Sequence, residues 1–356
     1  MTSWLCYNTN IMNAFCKKKR LDLWRAACYT ARSDMRHRPR AGEAGAIFTH
    51  THLTYTNNMA QHTWKAWIGA TRPWSFTASA LTVFVSLAYL EWSTGGVHWW
   101  HGLWAIGAVV LFHAAGNTWS DWHDYRSGVD AADTHGVDTL TSGRFTPREL
   151  MGLSLGLFAL ATAAGVGLML CTGLPLLWVG GAGLALALLY PPLKYRALGD
   201  VVILLAYCLL PALGASYVAL GRFEPAVLLA ALPVGLLVNA ILHANNTRDM
   251  RTDRRAGARS LAHALGVRGS VLLYMGQMLV PFVWVVALVC GGLLPLWALG
   301  ELLLLPLALR NCRAMLAYRS EADSALISSL DQRSAQLQMF FSLKLISPLL
   351  IDLWLR

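Results

Sequence analysis

Charge is what this chain has least of. Of its 356 residues, 13% are Asp, Glu, Lys or Arg, where a typical soluble domain carries about 25%. Beside 56% apolar residues, that shortage argues against a soluble globular protein and excludes bulk disorder. The seven cysteines include no C-x-x-C spacing, which speaks against a zinc site and against a disulfide framework. The first 58 residues lack the apolar run of about 7–15 residues that a secretory signal needs, although Lys17, Lys18, Lys19 and Arg20 begin like one. They hold nine Lys/Arg against three Asp/Glu, which is +6 of the net +10. Residues 1–58 therefore read as a basic extension beside an anionic membrane face, or as sequence ahead of a true start at Met59, and not as a nucleic-acid-binding arm. The domain proper is 59–356.

What is there is apolar and segmented. A bilayer core of about 30 Å takes roughly 20 apolar residues per helix. Nine candidates fall at 74–91, 101–119, 149–171, 175–191, 200–220, 225–246, 270–290, 293–309 and 334–354. Pro211, Pro233, Pro281 and Pro306 lie within them, tolerable where neighbouring helices satisfy the freed carbonyls. Fifteen tryptophans suit membrane interfaces. The connections after segments 2, 4, 6 and 8 carry three, two, six and four Lys/Arg, while those after 1, 3, 5 and 7 carry only Arg222. By the positive-inside rule the N-terminus and the basic connections are cytoplasmic and Arg356 lies outside.

The acids gather at two cytoplasmic helix ends. Segment 2 runs out through His113, Asn117, Ser120, Asp121 and Asp124, and segment 6 through His243, Asn245, Asn246, Arg248, Asp249 and Asp253. On a helix, Asn117 and Asp121 share a face, as do Asp121 with Asp124 and Asp249 with Asp253. Like charges so spaced repel unless a cation sits between them. Oxygen ligands of this kind suit Mg²⁺, which binds through one or two carboxylates plus substrate phosphates. The two stretches align with Asn117-Thr118 on Asn246-Thr247 and Asp124 on Asp253, a hint of duplication. Tyr190 and Lys194 end segment 4 on the same side, offering a hydrogen bond and a point charge to a phosphate. Arg72 opens segment 1. Acids, amides and bases above an apolar interior describe a diphosphate held through Mg²⁺ with a greasy tail. Loss of that diphosphate from an allylic chain leaves a cation, for which Mg²⁺ stabilises the departing charge and aromatic faces the carbon.

These residues resemble the UbiA superfamily of intramembrane aromatic prenyltransferases over about 65–356, and within it the branch acting on 1,4-dihydroxy-2-naphthoate in menaquinone synthesis. The most specific part is Asn245-Asn246-Thr-Arg248-Asp249-x-x-x-Asp253-x-x-x-Gly257. Arg72-Pro73-Trp-Ser-Phe, Tyr190-x-x-x-Lys194, Tyr195-Arg196-Ala-Leu-Gly-Asp200 and Ala335-Gln336-Leu337 are similar too. The superfamily pattern N-D-x-x-D-x-x-x-D meets Asp121-x-x-Asp124, with Ser120 in place of Asn and Gly128 in place of the last Asp. Asn117-x-x-x-Asp121 is the alternative register. The resemblance implies an all-α membrane protein with nine transmembrane helices around a central cavity and a lateral opening for the prenyl chain. It implies Mg²⁺ between the two motifs, held by Asp121, Asp124, Asp249, Asp253 and Asn117, and a diphosphate held by Arg72 and Lys194. It implies transfer of a polyprenyl group from its diphosphate to dihydroxynaphthoate with loss of CO₂, giving demethylmenaquinone, in a bacterial cytoplasmic (inner) membrane. Other aromatic acceptors, 4-hydroxybenzoate among them, and a membrane transporter are the alternatives. Transporters place substrate near the midplane between inverted repeats, whereas these acids lie at helix ends and the apparent repeat is parallel.

Glu301 and Lys344 are the charges deepest within segments 8 and 9, about 14 and 16 Å from the cytoplasmic edge by helical rise, and are expected to pair. No motif residue falls in 1–58. A protein beginning at Met59 should therefore insert and turn over like the full chain, as a membrane-fraction assay would measure; a truncated protein that inserts but is inactive would refute this.

Overall fold

A computed structural model describes residues 63–130 and 139–355; the basic extension and the start at Met59 lie outside the described residues. These fold into twelve α-helices. α1 (Trp64–Ala70) leads through a 3₁₀ turn at Pro73–Ser75 into α2 (Thr77–Thr94). α3 (Trp99–Arg126), α4 (Pro147–Thr172) and α5 (Pro175–Lys194) follow. α6 (Gly199–Leu204) passes through a π turn, Leu205–Leu209, into α7 (Leu210–Leu220). α8 (Val227–Arg248), α9 (Met250–Arg255) and α10 (Leu261–Cys290) come next, then a 3₁₀ stretch Leu296–Leu304 running into α11 (Leu305–Leu316), and α12 (Leu330–Leu355).

Local chemistry sets the ends. Thr146 and Glu149 cap α4 reciprocally, with Pro147 in the first turn where its missing N–H costs nothing. α2 and α7 stop at Gly95 (φ 79°) and Gly221 (φ 69°), left-handed positions that glycine adopts without strain. Seven of the expected crossings are long and apolar enough to span a bilayer: Pro73–Thr94, α4, α5, Gly199–Leu220, α8, α10 and α12. The other two expected segments are helical but do not reach that standard. The one at 101–119 lies in α3, which carries His101, His113 and Asn117. The one at 293–309 is split between a nine-residue 3₁₀ stretch and the twelve-residue α11.

α2, α8 and α12 pack on one another and form the centre. In α8, 67% of the apolar stretch is buried inside the protein, against 11% in α5. A side chain row left unburied by protein is apolar here, as a lipid-facing surface must be. α3, α4, α5 and α7 pack beside the centre, and a cavity of about 800 Å³ opens between the two groups. Its apolar floor includes Val83 and Val218, and its outer wall Thr162, Met169, Gly180 and Leu184. The π turn has a local cause. Pro211 has no N–H to offer Tyr207 and its ring crowds that carbonyl, and Leu210 N–H reaches back to Leu205 instead.

The pair expected between Glu301 and Lys344 is not closed. Glu301 is fully buried and neither carboxylate oxygen has a hydrogen-bond partner. The Lys344 ammonium lies over Gly300 instead, 3.3 Å from where a Cβ there would stand. Depth along the helices was matched, but the direction of each side chain around its axis was not. A buried acid without a hydrogen-bond partner is a burden of about 2.5–3.5 kcal/mol on insertion scales. Glu301→Leu should therefore raise the thermal midpoint of the detergent-solubilised protein; a clear fall would show that Glu301 has a stabilising partner.

Candidate active site

Three elements meet at the mouth of the cavity. The last turns of α3 bring Asn117, Ser120, Asp121 and Asp124. The junction of α8 and α9 brings Asn245, Asn246, Arg248, Asp249 and Asp253. The end of α5 brings Tyr190 and Lys194. Although α8 ends at Arg248, the Asp253 N–H still donates to the Asp249 carbonyl at 2.9 Å, so the two acids keep the one-turn spacing expected of them. The connection after α5 is tied to the one after α9: Ala197 N–H donates to Arg259 at 2.7 Å and Arg259 N–H to Tyr195 at 3.2 Å. Arg72 sits in the left-handed region (φ 58°, ψ 58°), a strained conformation for a side-chain-bearing residue. It swings its guanidinium onto Asp121.

Eleven of the twelve residues singled out in the sequence line this cavity; Asp121 lies behind Arg72, 2% exposed. Each acid pair is held by a base. Arg72 pairs with Asp121, Lys194 with Asp124 at 2.9 Å, and Arg248 grips Asp249 with two bonds of 2.7 and 2.8 Å. Ser120, at the position where the family motif has Asn, donates to Asp124 at 3.4 Å. The two aligned asparagines play parallel parts, each spending its amide N–H on a neighbouring segment. Asn117 donates to Thr71 O (3.0 Å) and Ser75 Oγ (3.1 Å), and Asn246 to Asp200 at 3.4 Å. Asp200 is in turn bonded to His243 at 2.9 Å.

Three participants were missed in the sequence. Tyr195 donates its hydroxyl to Asp124. Asp130 lines the cavity beyond α3. Asp331, in the first turn of α12, meets Arg248 at 3.3 Å and lines the cavity with Gln332 and Ala335. An acid beginning the last helix just before Ala335-Gln336-Leu337 was the available signal.

At this mouth six carboxyl groups (Asp121, Asp124, Asp130, Asp249, Asp253, Asp331) face three cationic side chains (Arg72, Lys194, Arg248). Burial pushes the Asp253 carboxyl up to about 7, with Asp249 and Asp124 adding and Lys194 and Arg248 opposing. Burial, reinforced by Asp124, pushes Asp130 up to about 6. Oxygens of Asp121, Asn245 and Asp331 are buried without a partner. Among the described residues no three His, Cys, Asp or Glu side chains converge to hold an ion unaided. An all-oxygen set with spare negative charge and no finished cage fits Mg²⁺, which takes part of its coordination from water and phosphate.

A sequence model described as the UbiA prenyltransferase family matches residues 79–342. UbiA prenyltransferase domain-containing protein 1 of Mus musculus is 32% identical over 293 residues, 80% of this chain and 83% of that one. The 1,4-dihydroxy-2-naphthoate octaprenyltransferase of Bacillus subtilis (strain 168) is 24% identical over 300 residues, 83% of this chain and 94% of that one. Among solved structures, a UbiA homolog from Aeropyrum pernix K1 superimposes with a TM-score of 0.54 at 18% identity, over 79% of this chain and 97% of that one. A digeranylgeranylglyceryl phosphate synthase does so with a TM-score of 0.56 at 16% identity, over 81% and 98%. At these identities the superpositions speak to the fold.

The raised carboxyls set a pH dependence. Below about 7 Asp253 holds a proton, and below about 6 so does Asp130; a cation held by Asp253 must displace its proton, and a protonated Asp130 removes a negative charge from the mouth. Affinity should therefore fall as pH drops through this range, by about tenfold per unit for each proton displaced, and level off above it. Mn²⁺ titration followed by electron paramagnetic resonance between pH 5.5 and 8.5 measures this; a flat profile would refute it.

Proposed function

The chain belongs to the UbiA prenyltransferase family, and we propose that it transfers a polyprenyl group from its diphosphate to 1,4-dihydroxy-2-naphthoate, with Mg²⁺ as cofactor and release of CO₂ and diphosphate. The observation that carries this reading is the juxtaposition of two acidic helix ends and three bases at the mouth of one apolar cavity. The Bacillus subtilis relative, a 1,4-dihydroxy-2-naphthoate octaprenyltransferase, supports the choice of acceptor. We further propose nine membrane crossings, with α3 and the Leu296–Leu316 stretch completing the set, in a bacterial cytoplasmic membrane. The alternation of basic and uncharged connections supports a cytoplasmic site, a cytoplasmic N-terminus and an external C-terminus.

Asp121, Asp124, Asp249 and Asp253 would hold the metal, which supplies positive charge to the departing diphosphate when bound. The bases already stand beside these acids. As a diphosphate arrives, Arg72 and Lys194 turn from carboxylate to phosphate, so that no buried charge is left alone during the exchange. Arg248 stays between Asp249 and Asp331, which orients Asp249 toward the cavity. The C1–O bond then breaks and its electron pair leaves with the diphosphate. Tyr190, Tyr207 and Phe112 line the space below, where aromatic faces would stabilise the allylic cation. The apolar floor excludes water, which would otherwise capture that cation.

Membranes given dihydroxynaphthoate, 4-hydroxybenzoate and a set of polyprenyl diphosphates with Mg²⁺ should yield one lipid product, whose mass is that of a prenylated naphthoquinol lacking the carboxylate. A product that keeps the carboxylate, or one built on 4-hydroxybenzoate, would overturn the choice of acceptor. Asp249→Asn and Asp253→Asn should each lower turnover by about 10²–10³-fold with an unchanged melting profile, and EDTA should abolish turnover.

A further inference from the structure

The second acidic motif is built on a broken helix. α8 ends at Arg248, α9 begins at Met250, and Asp249 between them leaves helical geometry at φ −93° and ψ 6°. The break shows in the side chains. On a continuous helix adjacent residues do not face each other, yet the Arg248 guanidinium grips both oxygens of the Asp249 carboxylate. Two residues from later in the chain hold the backbone on either side of the break. Tyr318, 2% exposed in the connection after α11, donates its hydroxyl to the Thr247 carbonyl at 2.9 Å. His263, in the first turn of α10, donates from Nε2 to the Met250 carbonyl at 2.7 Å. Its partners select one tautomer. A carbonyl only accepts, so Nε2 carries the proton. The Ser260 backbone N–H only donates, at 3.2 Å, so Nδ1 carries the lone pair, and the Ser260 hydroxyl meets it at 2.9 Å. The same imidazole thus caps α10 and clamps the start of α9. Neither His263 nor Tyr318 is among the residues that line the cavity.

We propose that His263 and Tyr318 are positioning residues for the metal-binding acids: they hold the helix open at Asp249, so that Asp249 and Asp253 face the cavity while Arg248 stays locked on Asp249. This rests on the metal–diphosphate reading above. The bonds fall where they can act. Thr247 lies two residues before Asp249 and Met250 one after it, so the backbone that carries the carboxylate is fixed from both sides. Asp249 N–H donates to the Asn245 carbonyl at 2.9 Å and Asp253 N–H to the Asp249 carbonyl at 2.9 Å, which passes the hold on to Asp253. Released from the two clamps, the break is free to close into one continuous helix. That would carry Arg248 and Asp249 to separate faces and leave a base that is only 8% exposed with Asp331 alone, at 3.3 Å. Groups that orient metal ligands without touching the metal are worth about 10- to 100-fold in metal affinity.

Mn²⁺ titration of the purified full-length protein, followed by electron paramagnetic resonance above the pH at which Asp253 holds its proton, tests this without recourse to turnover. His263→Leu and Tyr318→Phe should each weaken Mn²⁺ binding by about tenfold or more. His263→Gln, whose amide can still donate to the Met250 carbonyl, should restore most of what His263→Leu loses. Trp284→Phe is the control for a merely structural role. It removes a bond of the same kind, from the indole N–H to the Leu229 carbonyl of α8 at 2.9 Å. Leu229 stands eighteen residues before Thr247, about 27 Å away by helical rise. Trp284→Phe should lower the thermal midpoint and change Mn²⁺ affinity by less than about twofold. Unchanged affinity in both His263→Leu and Tyr318→Phe, no rescue by His263→Gln, or an equal loss in Trp284→Phe would overturn the proposal. Wild-type protein that binds no Mn²⁺ would instead overturn the metal reading of the mouth, and this role with it.

Discussion

Carboxylates crowded at the inner ends of membrane-embedded helices must be neutralised, and most of this structure can be read as the means of doing so. Repulsion among six acids in a partly buried space is far larger than any single helix-end contact can absorb. Three bases reach them from three different places: Arg72 before α2, Lys194 at the end of α5, and Arg248 within the second motif itself. Each base comes with an apparent structural cost. Arg72 takes a left-handed backbone, Lys194 follows two prolines in its helix, and Arg248 is itself almost buried. Bases remain fewer than acids, and burial, reinforced by the neighbouring acids, leaves Asp253 and Asp130 holding protons near neutrality. A cation and a polyanion entering together answer both sides of that imbalance, which makes charge balance the link between architecture and chemistry.

The helical frame serves the same end by separating two tasks. α2, α8 and α12 carry the packing, with fully buried side chains such as Leu90, Leu237 and Leu345. α4 and α5 are thinly covered by protein, and α5 sets Gly180, Gly181, Gly183 and Ala187 on the cavity side. The rigid centre therefore fixes the second acidic motif, while the lighter wall leaves room for a long apolar chain. The hydrogen bonds between the Tyr195–Ala197 and Arg259 backbones keep the Lys194 end of that lighter wall in register with the centre.

Several hydroxyl side chains within the helices follow one habit. Thr82, Ser86, Thr118, Thr247 and Ser342 each return a hydrogen bond to a carbonyl one turn back, which satisfies them without a partner helix. Residues that break the habit are the informative ones. His113 and His243 use side chains from other elements, and both stand beside the asparagines that lead into the acids.

The linear chain by itself determined the all-helical character, the places of the apolar segments, the helix ends at which the acids gather, and eleven of the residues that line the cavity. Hydropathy, charge alternation and one-turn spacings are properties of neighbours along the chain, and those survive folding. Tertiary structure decided what depends on rotation about a helix axis and on contacts between distant segments. Depth arguments brought Glu301 and Lys344 to one level, but nothing local fixed where around its helix each side chain would point. Asp121 carried the right spacing, yet it turned to Arg72 and away from the cavity. Tyr195, Asp130 and Asp331 became part of the mouth only because α3, α5, α8 and α12 end together, and the bonds from His263 and Tyr318 onto the carbonyls beside Asp249 come from segments beyond the motif. Periodicity along one helix says which residues share a face; which neighbour that face meets is set by the packing of the whole bundle.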